Sequence, residues 1–264
     1  MSYKEALKNF LKQRGLDPSR LRRRRSRRTD RLTEYRTVTG TYFLPTDAPG
    51  DLIAEAIRNN RVFDEPILDV ARRYVAPGTT VLDVGSNFGQ MAVLLSRMVG
   101  SDGVVHAFDA DDFVYSILEK NCSRNATNIV THFGAVHDVA GQTLHFPVQD
   151  FRRFDTYGSY GIDYVKGEGR PVKTITIDQI PFEKPVSFMK VDVQGGDLFA
   201  LRGAVETIRR HQMPIVFEYE YLFEDELKLS FQEYVDFVRS IDYRFEKVIM
   251  GQNYLIVPTS SPRT

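Results

Sequence analysis

The apolar positions of this 264-residue chain change period along its length, and each change marks an element. Near the amino terminus Tyr3, Leu7, Phe10 and Leu11 recur at helical spacing ahead of Gly15, which predicts a short amphipathic helix over 3–14. Residues 50–75 predict two further helices. In the second, Ile67, Val70, Ala71 and Tyr74 share one face, Pro66 suits the first turn, and Ala76-Pro77-Gly78 stops it. Beyond residue 80 strand and helix periods alternate. Strands are predicted at 81–85, 104–109, 128–133, 186–193 and 214–220, helices at 91–100, 112–124, 196–210 and 230–240, and closing strands at 243–249 and 253–258. Apolar strands separated by helices predict an α/β chain built on a doubly wound, mostly parallel, seven-stranded sheet. A β-rich insertion at 136–180 precedes the fourth core strand, where TLHFP and PVKTITID flank a Gly- and Tyr-rich stretch, a pattern that predicts a hairpin and loop laid over the sheet.

Composition narrows the class. With 42% hydrophobic and 27% charged residues the chain is globular, which excludes disordered, collagen-like and disulfide-knot proteins. The lone Cys122 can close no intrachain disulfide and build no cysteine zinc site, so a reducing cytoplasm is the expected compartment. No apolar run approaches the roughly 20 residues of a membrane span, and MSYKEALKNFLKQRG lacks the apolar stretch of a signal peptide. The formal net charge is zero but unevenly spread: residues 1–40 carry 13 Lys and Arg against four acidic residues, a surplus of nine that the rest of the chain must offset. Eight of the twelve positions from Arg20 to Arg31 are arginine. Residues 1–40 therefore read as a basic leader, helical at its start, ahead of a 41–264 domain. The leader either meets an anionic surface, membrane or nucleic acid, or folds back on its own acidic body.

The segment VLDVGSNFGQ, 81–90, carries the candidate chemistry. A buried strand runs into Gly85 and Gly89 and then a helix, so backbone N–H groups point into the crevice at the strand's carboxyl end. The spacing is not the dinucleotide GxGxxG, and Asp83 ahead of the turn would repel a pyrophosphate but receive an ammonium group; both features favour S-adenosylmethionine over NAD. Asp109, about 24 residues past Gly85 at the end of the second strand, suits the ribose hydroxyls of an adenosine. Ser86 and Asn87 in the turn, Ala110 after Asp109 and Ala135 after the third strand complete the candidate cofactor contacts, while Asp111 and Asp112 read as helix caps.

These residues resemble the FkbM-type S-adenosylmethionine-dependent methyltransferases, with their Rossmann-like class I methyltransferase fold. The resemblance covers roughly 52–257 and rests on EPILDVARRYVAPGTTVLDVGSNFGQ, on FMKVDVQGGDLFALRGA (188–204) and on PIVFEYE (214–220). The second stretch departs from the family pattern, with Gln194 and Asp197 where glutamates are usual. The resemblance implies methyl transfer to an oxygen, often a sugar hydroxyl, on a small-molecule or glycan acceptor.

In-line transfer to a hydroxyl needs donor and acceptor aligned and a proton removed. Asp192, at the end of the fourth core strand, is the first candidate base, with a helix cap as its structural alternative; Glu218, at the end of the fifth, is the second, or else the partner of a buried cation. The pair also suits a magnesium ion, although no third ligand is evident. His137 is a further candidate base, in the loop after the third strand. Tyr157, Ser159 and Tyr160 offer acceptor contacts, and Cys122 reads as inert. Two other readings remain: a nucleic-acid methyltransferase that uses the arginine run on phosphates, and a non-catalytic interaction protein on a cofactor fold. An acidic body without interleaved basic and aromatic residues weighs against the first, and the intact Asp83, Gly85, Gly89 and Asp109 set against the second.

Overall fold

The computed structural model describes residues 31–46, 50–149 and 156–262; the helix expected over 3–14 and the arginines from Arg20 to Arg28 lie outside them. In chain order the elements are β1 (Leu32–Thr37), β2 (Gly40–Pro45), α1 (Leu52–Arg58), α2 (Glu65–Tyr74), β3 (Thr80–Val84), α3 (Gln90–Val99), β4 (Val104–Asp109), α4 (Asp112–Asn125), β5 (Ile129–Phe133), β6 (Ala135–Val136) and β7 (Thr143–Phe146). They continue with β8 (Arg170–Ile175), β9 (Val186–Val191), α5 (Asp197–Arg202), α6 (Val205–His211), β10 (Ile215–Glu218), α7 (Glu224–Leu227), α8 (Phe231–Ser240), β11 (Tyr243–Ile249) and β12 (Asn253–Pro258).

The strand order of the main sheet is β11-β12-β10-β9-β3-β4-β5. From β5 to β10 neighbouring strands are parallel, and β12 runs antiparallel to both β10 and β11. Alternation along each strand assigns its side chains to two cores, one per face. Val81, Phe188 and Val216 join Ile67 and Leu95 under α2 and α3, whereas Leu82, Met189 and Phe217 join Leu201, Ile208 and Phe237 under α5, α6 and α8. Fully burying each such side chain contributes roughly 1.5–3 kcal/mol. The chain reverses its direction of winding between β3 and β9, so the carboxyl ends of these two strands open a crevice.

Three features depart from the sequence pattern. The helix expected over 196–210 is two helices, because the chain breaks at Gly203, where a Cβ would collide with the carbonyl oxygen of His137. The insertion holds the expected hairpin, β7 antiparallel to β8, but widens it into a three-stranded sheet by pairing β8 in parallel with β6. The boundary expected at residue 40 falls inside the β1–β2 hairpin, whose Tyr42 and Leu44 pack against Ile57, Phe88 and Phe113. Among the described residues no helix is long and apolar enough to cross a membrane.

The hairpin is held by side chains that imitate a neighbouring strand. From α4, Asn125 accepts from the Thr41 amide at 2.8 Å and donates to the Thr41 carbonyl at 2.7 Å. One turn earlier Asn121 accepts from the Phe43 amide at 2.7 Å and donates to the Phe43 carbonyl at 3.2 Å. Asn121 also donates to the Phe88 carbonyl at 2.9 Å, and it is fully buried. Asn121→Leu leaves these backbone groups without their partner, and each unsatisfied buried group costs roughly 1–3 kcal/mol. Chemical denaturation of Asn121→Leu is expected to show a loss of about 2–5 kcal/mol, against less than about 1 kcal/mol for a change at exposed Ser123.

Candidate active site

The crevice at the β3–β9 switch point is a cleft of about 1000 Å³, counting its open mouth. Its inner wall is the turn after β3. Gly85 adopts φ +82, and a Cβ there would overlap the carbonyl oxygen of Asp192, so the turn lies backbone to backbone on the end of β9. The Asp192 amide donates to the Val84 carbonyl at 2.9 Å across the same contact. Ser86 Oγ closes the turn on the Asp83 carbonyl at 2.6 Å, and Asn87 sits at φ +49. Gly89, φ +83, lets the turn press on Leu118 and Cys122 of α4. That packing accounts for Cys122: it is buried, its thiol is pushed up to about 12 by burial and by Asp83, and it is a small filler.

Asp109 joins the two loops that face the cleft. One carboxylate oxygen accepts from the Asn87 amide and the other from the Asp111 amide, both at 3.0 Å. Burial pushes this carboxyl up to about 7 against the pull of those amides. Asp111 caps α4 by accepting from the Phe113 and Val114 amides, and Arg170 of β8 pairs with both Asp111 and Asp112.

On the far wall stand Lys190 and Asp192. The Lys190 ammonium, almost fully buried, donates to the Gly85 carbonyl at 3.0 Å and lies 3.4 Å from Asp192 and 3.8 Å from Asp83. Burial alone would lower its pKa, but Asp192, Asp83, Asp64 and Glu218 together raise it above the usual lysine range. Asp83 is raised by burial, which outweighs the pull of Lys190 and of Ser86. Asp192 does not cap the following helix; the N-cap of α5 is Gly196, and no side chain bonds there. Instead Asp192 Oδ1 accepts from Gln194 Nε2 at 2.8 Å, and the same nitrogen donates to Glu218 Oε2 at 3.1 Å.

Of the sequence candidates, Gly85, Ser86, Asn87, Asp109, Ala110, Ala135 and Asp192 line one cleft. Asp83, Gly89 and Glu218 stand behind its wall. His137 does not line it either. The short β6 carries His137 into the small sheet, where its amide bonds Ile175, its ring stacks on Phe199 at 4.6 Å and its Nδ1 lies 2.6 Å from Asp138. Burial lowers its pKa despite that carboxylate. Tyr157 is a core residue packed edge-on to Phe88 that reaches the cleft, Tyr160 lines it, and Ser159 does not.

The sequence reading passed over Gln194, Tyr164, Asp64 and the lining role of Lys190. For Gln194 the signal was its departure from the family pattern. Asp64 adopts φ +60 before α2, a position that no motif marks. Among the described residues no group of three or more His, Cys, Asp or Glu side chains is arranged to hold a metal ion.

Behind the cleft, Asp197 is almost fully buried, and the backbone amides of Val193 and Asp197 offset only part of the cost of burying its charge. Burial, and then repulsion from Asp192, pushes it up to about 8. Between an unfolded value of about 4 and that folded value the native state keeps a proton that the unfolded chain releases. The stabilisation from this group is therefore complete below about pH 4 and is lost as pH rises through about 8. Thermal unfolding across pH 4–8 is expected to show a fall in stability with pH for the wild type and a flatter profile for Asp197→Asn.

A family model described as the methyltransferase FkbM domain matches residues 83–245. No curated protein matches the chain. Among solved structures, an FkbM methyltransferase from Methylobacillus flagellatus is 17% identical with a TM-score of 0.45, over 78% of this chain and 53% of that one. The chain thus spans about half the length of that protein. An S-adenosylmethionine-dependent O-methyltransferase from Thermotoga maritima is 11% identical with a TM-score of 0.43, over 88% and 87% of the two chains. A protein described as an rRNA methylase from Clostridium thermocellum is 15% identical with a TM-score of 0.43, over 71% and 89%.

Proposed function

From a chain that belongs to the FkbM methyltransferase domain family, and is accordingly an S-adenosylmethionine-dependent methyltransferase, we infer a transfer of methyl to a hydroxyl oxygen of a sugar or glycoconjugate, with Asp192 as the base. The observation that carries this reading is the Asp192 carboxylate, which faces the cleft while Lys190 and Gln194 hold its two oxygens. The donor set also suits the cofactor. Asp109 at the end of β4 offers acceptors to a ribose diol, and Val84, Phe108 and Val114 give an apolar wall for a purine. Acidic Asp64, Asp109 and Asp192 suit a ligand that carries a sulfonium and an ammonium. When bound, the cofactor supplies an electrophilic methyl group. The chain's part is to align the acceptor hydroxyl, to exclude water and to take the hydroxyl proton onto Asp192. Tyr160 and Tyr164 at the cleft offer faces and hydroxyls to a polyol.

Calorimetry is expected to give S-adenosylmethionine binding that Asp109→Ala weakens by about 1–3 kcal/mol; equal affinities would remove Asp109 from the site. With labelled cofactor and a glycan and metabolite extract, Asp192→Asn is expected to lower transfer roughly 100-fold at nearly unchanged cofactor affinity. Retained transfer would remove Asp192 as the base.

We also assign the arginine run to docking on phosphate-bearing surfaces, on its charge density alone. Deletion of residues 1–30, which spares the hairpin, is expected to leave cofactor affinity intact. It should abolish salt-sensitive binding to anionic vesicles or RNA; binding to neither by the full chain would remove the docking role, and loss of cofactor binding on deletion would place the arm on the domain.

A further inference from the structure

Gln194 stands where two carboxylates meet. Asp192, just beyond the end of β9, and Glu218, at the end of β10, approach each other closely enough for one amide nitrogen to reach both, at 2.8 and 3.1 Å. Glu218 is buried and Asp192 mostly so, and two such anions at this range repel unless something positive lies between them. Enclosed carboxylate pairs are commonly reconciled by a hard divalent cation bound through oxygen. Here the space is filled differently. A side-chain amide has two N–H donors, and Gln194 uses its nitrogen on one carboxylate oxygen from each neighbour. The neighbours themselves fix the orientation, because the reversed amide would set its oxygen against two carboxylate oxygens.

The backbone commits Gln194 to this position. It adopts φ +55, unusual for a residue with a side chain, and the insertion loop closes over it so tightly that a Cβ on Gly161 would overlap the Gln194 carbonyl oxygen. The other oxygen of Asp192 faces the Lys190 ammonium at 3.4 Å. A divalent cation entering between the carboxylates would meet amide hydrogens and, beside them, a fixed positive charge. The donor set does not fit magnesium.

We propose that Gln194 is a positioning residue whose amide takes the place of a divalent cation between Asp192 and Glu218, so that Asp192 is aimed at the acceptor without a metal. The proposal rests on the assignment of Asp192 as the base. It also implies that one isosteric change, Gln194→Glu, turns the amide bridge into a three-carboxylate cation site.

Manganese uptake by the full chain, followed by electron paramagnetic resonance, tests this without knowledge of the acceptor. The wild type is expected to bind no stoichiometric manganese. Gln194→Glu is expected to bind one ion at least about tenfold more tightly than the wild type, and the gain should vanish in Gln194→Glu combined with Asp192→Asn. Stoichiometric manganese on the wild type that Asp192→Asn removes would overturn the proposal, and that measurement does not depend on any position-194 variant folding. A Gln194→Glu protein no tighter than the wild type would overturn it too. In the labelled-transfer assay the wild type should be indifferent to EDTA. Gln194→Met, of similar length but without donors, should lose roughly 10- to 100-fold in turnover at an unchanged Michaelis constant for the cofactor; unchanged turnover counts against a positioning role. Calorimetry with S-adenosylmethionine runs in parallel. A wild type that binds no cofactor, or transfers no methyl group, contradicts the methyltransferase reading and leaves the manganese result to be judged separately.

Discussion

The Lys190 ammonium holds the centre of this molecule. It lies almost fully buried between the ends of two adjacent parallel strands, bonded to the Gly85 carbonyl and within ion-pair distance of Asp83 and Asp192. A buried ion pair adds little net stability, because desolvation offsets attraction, but removing one partner leaves the other charges uncompensated at a cost of roughly 3–5 kcal/mol. The value of such a cluster is geometric. With Lys190 in place the glycine turn cannot rise from β3 without breaking a charge-assisted bond, and Asp192 cannot swing away from the cleft without leaving its counter-ion. The contact that forbids a Cβ at Gly85 is the steric face of the same constraint.

Around this centre residues 156–170 of the insertion form a cover anchored at both ends. Asp51, which caps α1, accepts from the Thr156 hydroxyl at 3.0 Å and from the Tyr157 amide at 2.8 Å, tying the start of the cover to the hairpin side of the domain. Arg170 ties its far end to the cap of α4. Between these anchors Tyr157 packs with Phe88 and Phe113 among the buried residues under the hairpin, and Gly161 rests on the turn that carries Gln194. A cover fixed to the walls of its own cleft needs little reordering to enclose a ligand, and preorganisation of that kind lowers the entropy lost on binding.

The sheet was legible in the sequence because its central strands β3, β9 and β10, buried on both faces, read as apolar runs, and because Pro77, Gly78 and Gly100 punctuate the chain around them. The turn after β3 was legible because its glycines are required locally, by a left-handed φ and a close contact. What stayed hidden depends on residues far apart in the chain. The break at Gly203 answers to His137, 66 positions earlier. His137 follows a core strand as an active-site histidine would, yet the two-residue β6 turns it into the small sheet. Gln194 looked like a deviation from the family pattern, and its purpose emerges only when Glu218 is brought beside Asp192. The hairpin went unread because its strands are short and border an arginine-rich stretch, and because its support comes from asparagines 78 and 84 residues away.

Those asparagines bear on how the molecule responds to a pull. Asn121 grips the Phe43 carbonyl with the same amide that grips the Phe88 carbonyl, inside the turn that lines the cleft. The hairpin and that turn are thus rungs of one ladder, 45 residues apart in sequence and spliced by a single side chain. The basic leader joins the domain at the first strand of this hairpin. Tension on the leader therefore passes from β1 across the β1–β2 ladder to β2, and from Phe43 through the one side chain of Asn121 to the turn that rests on Asp192.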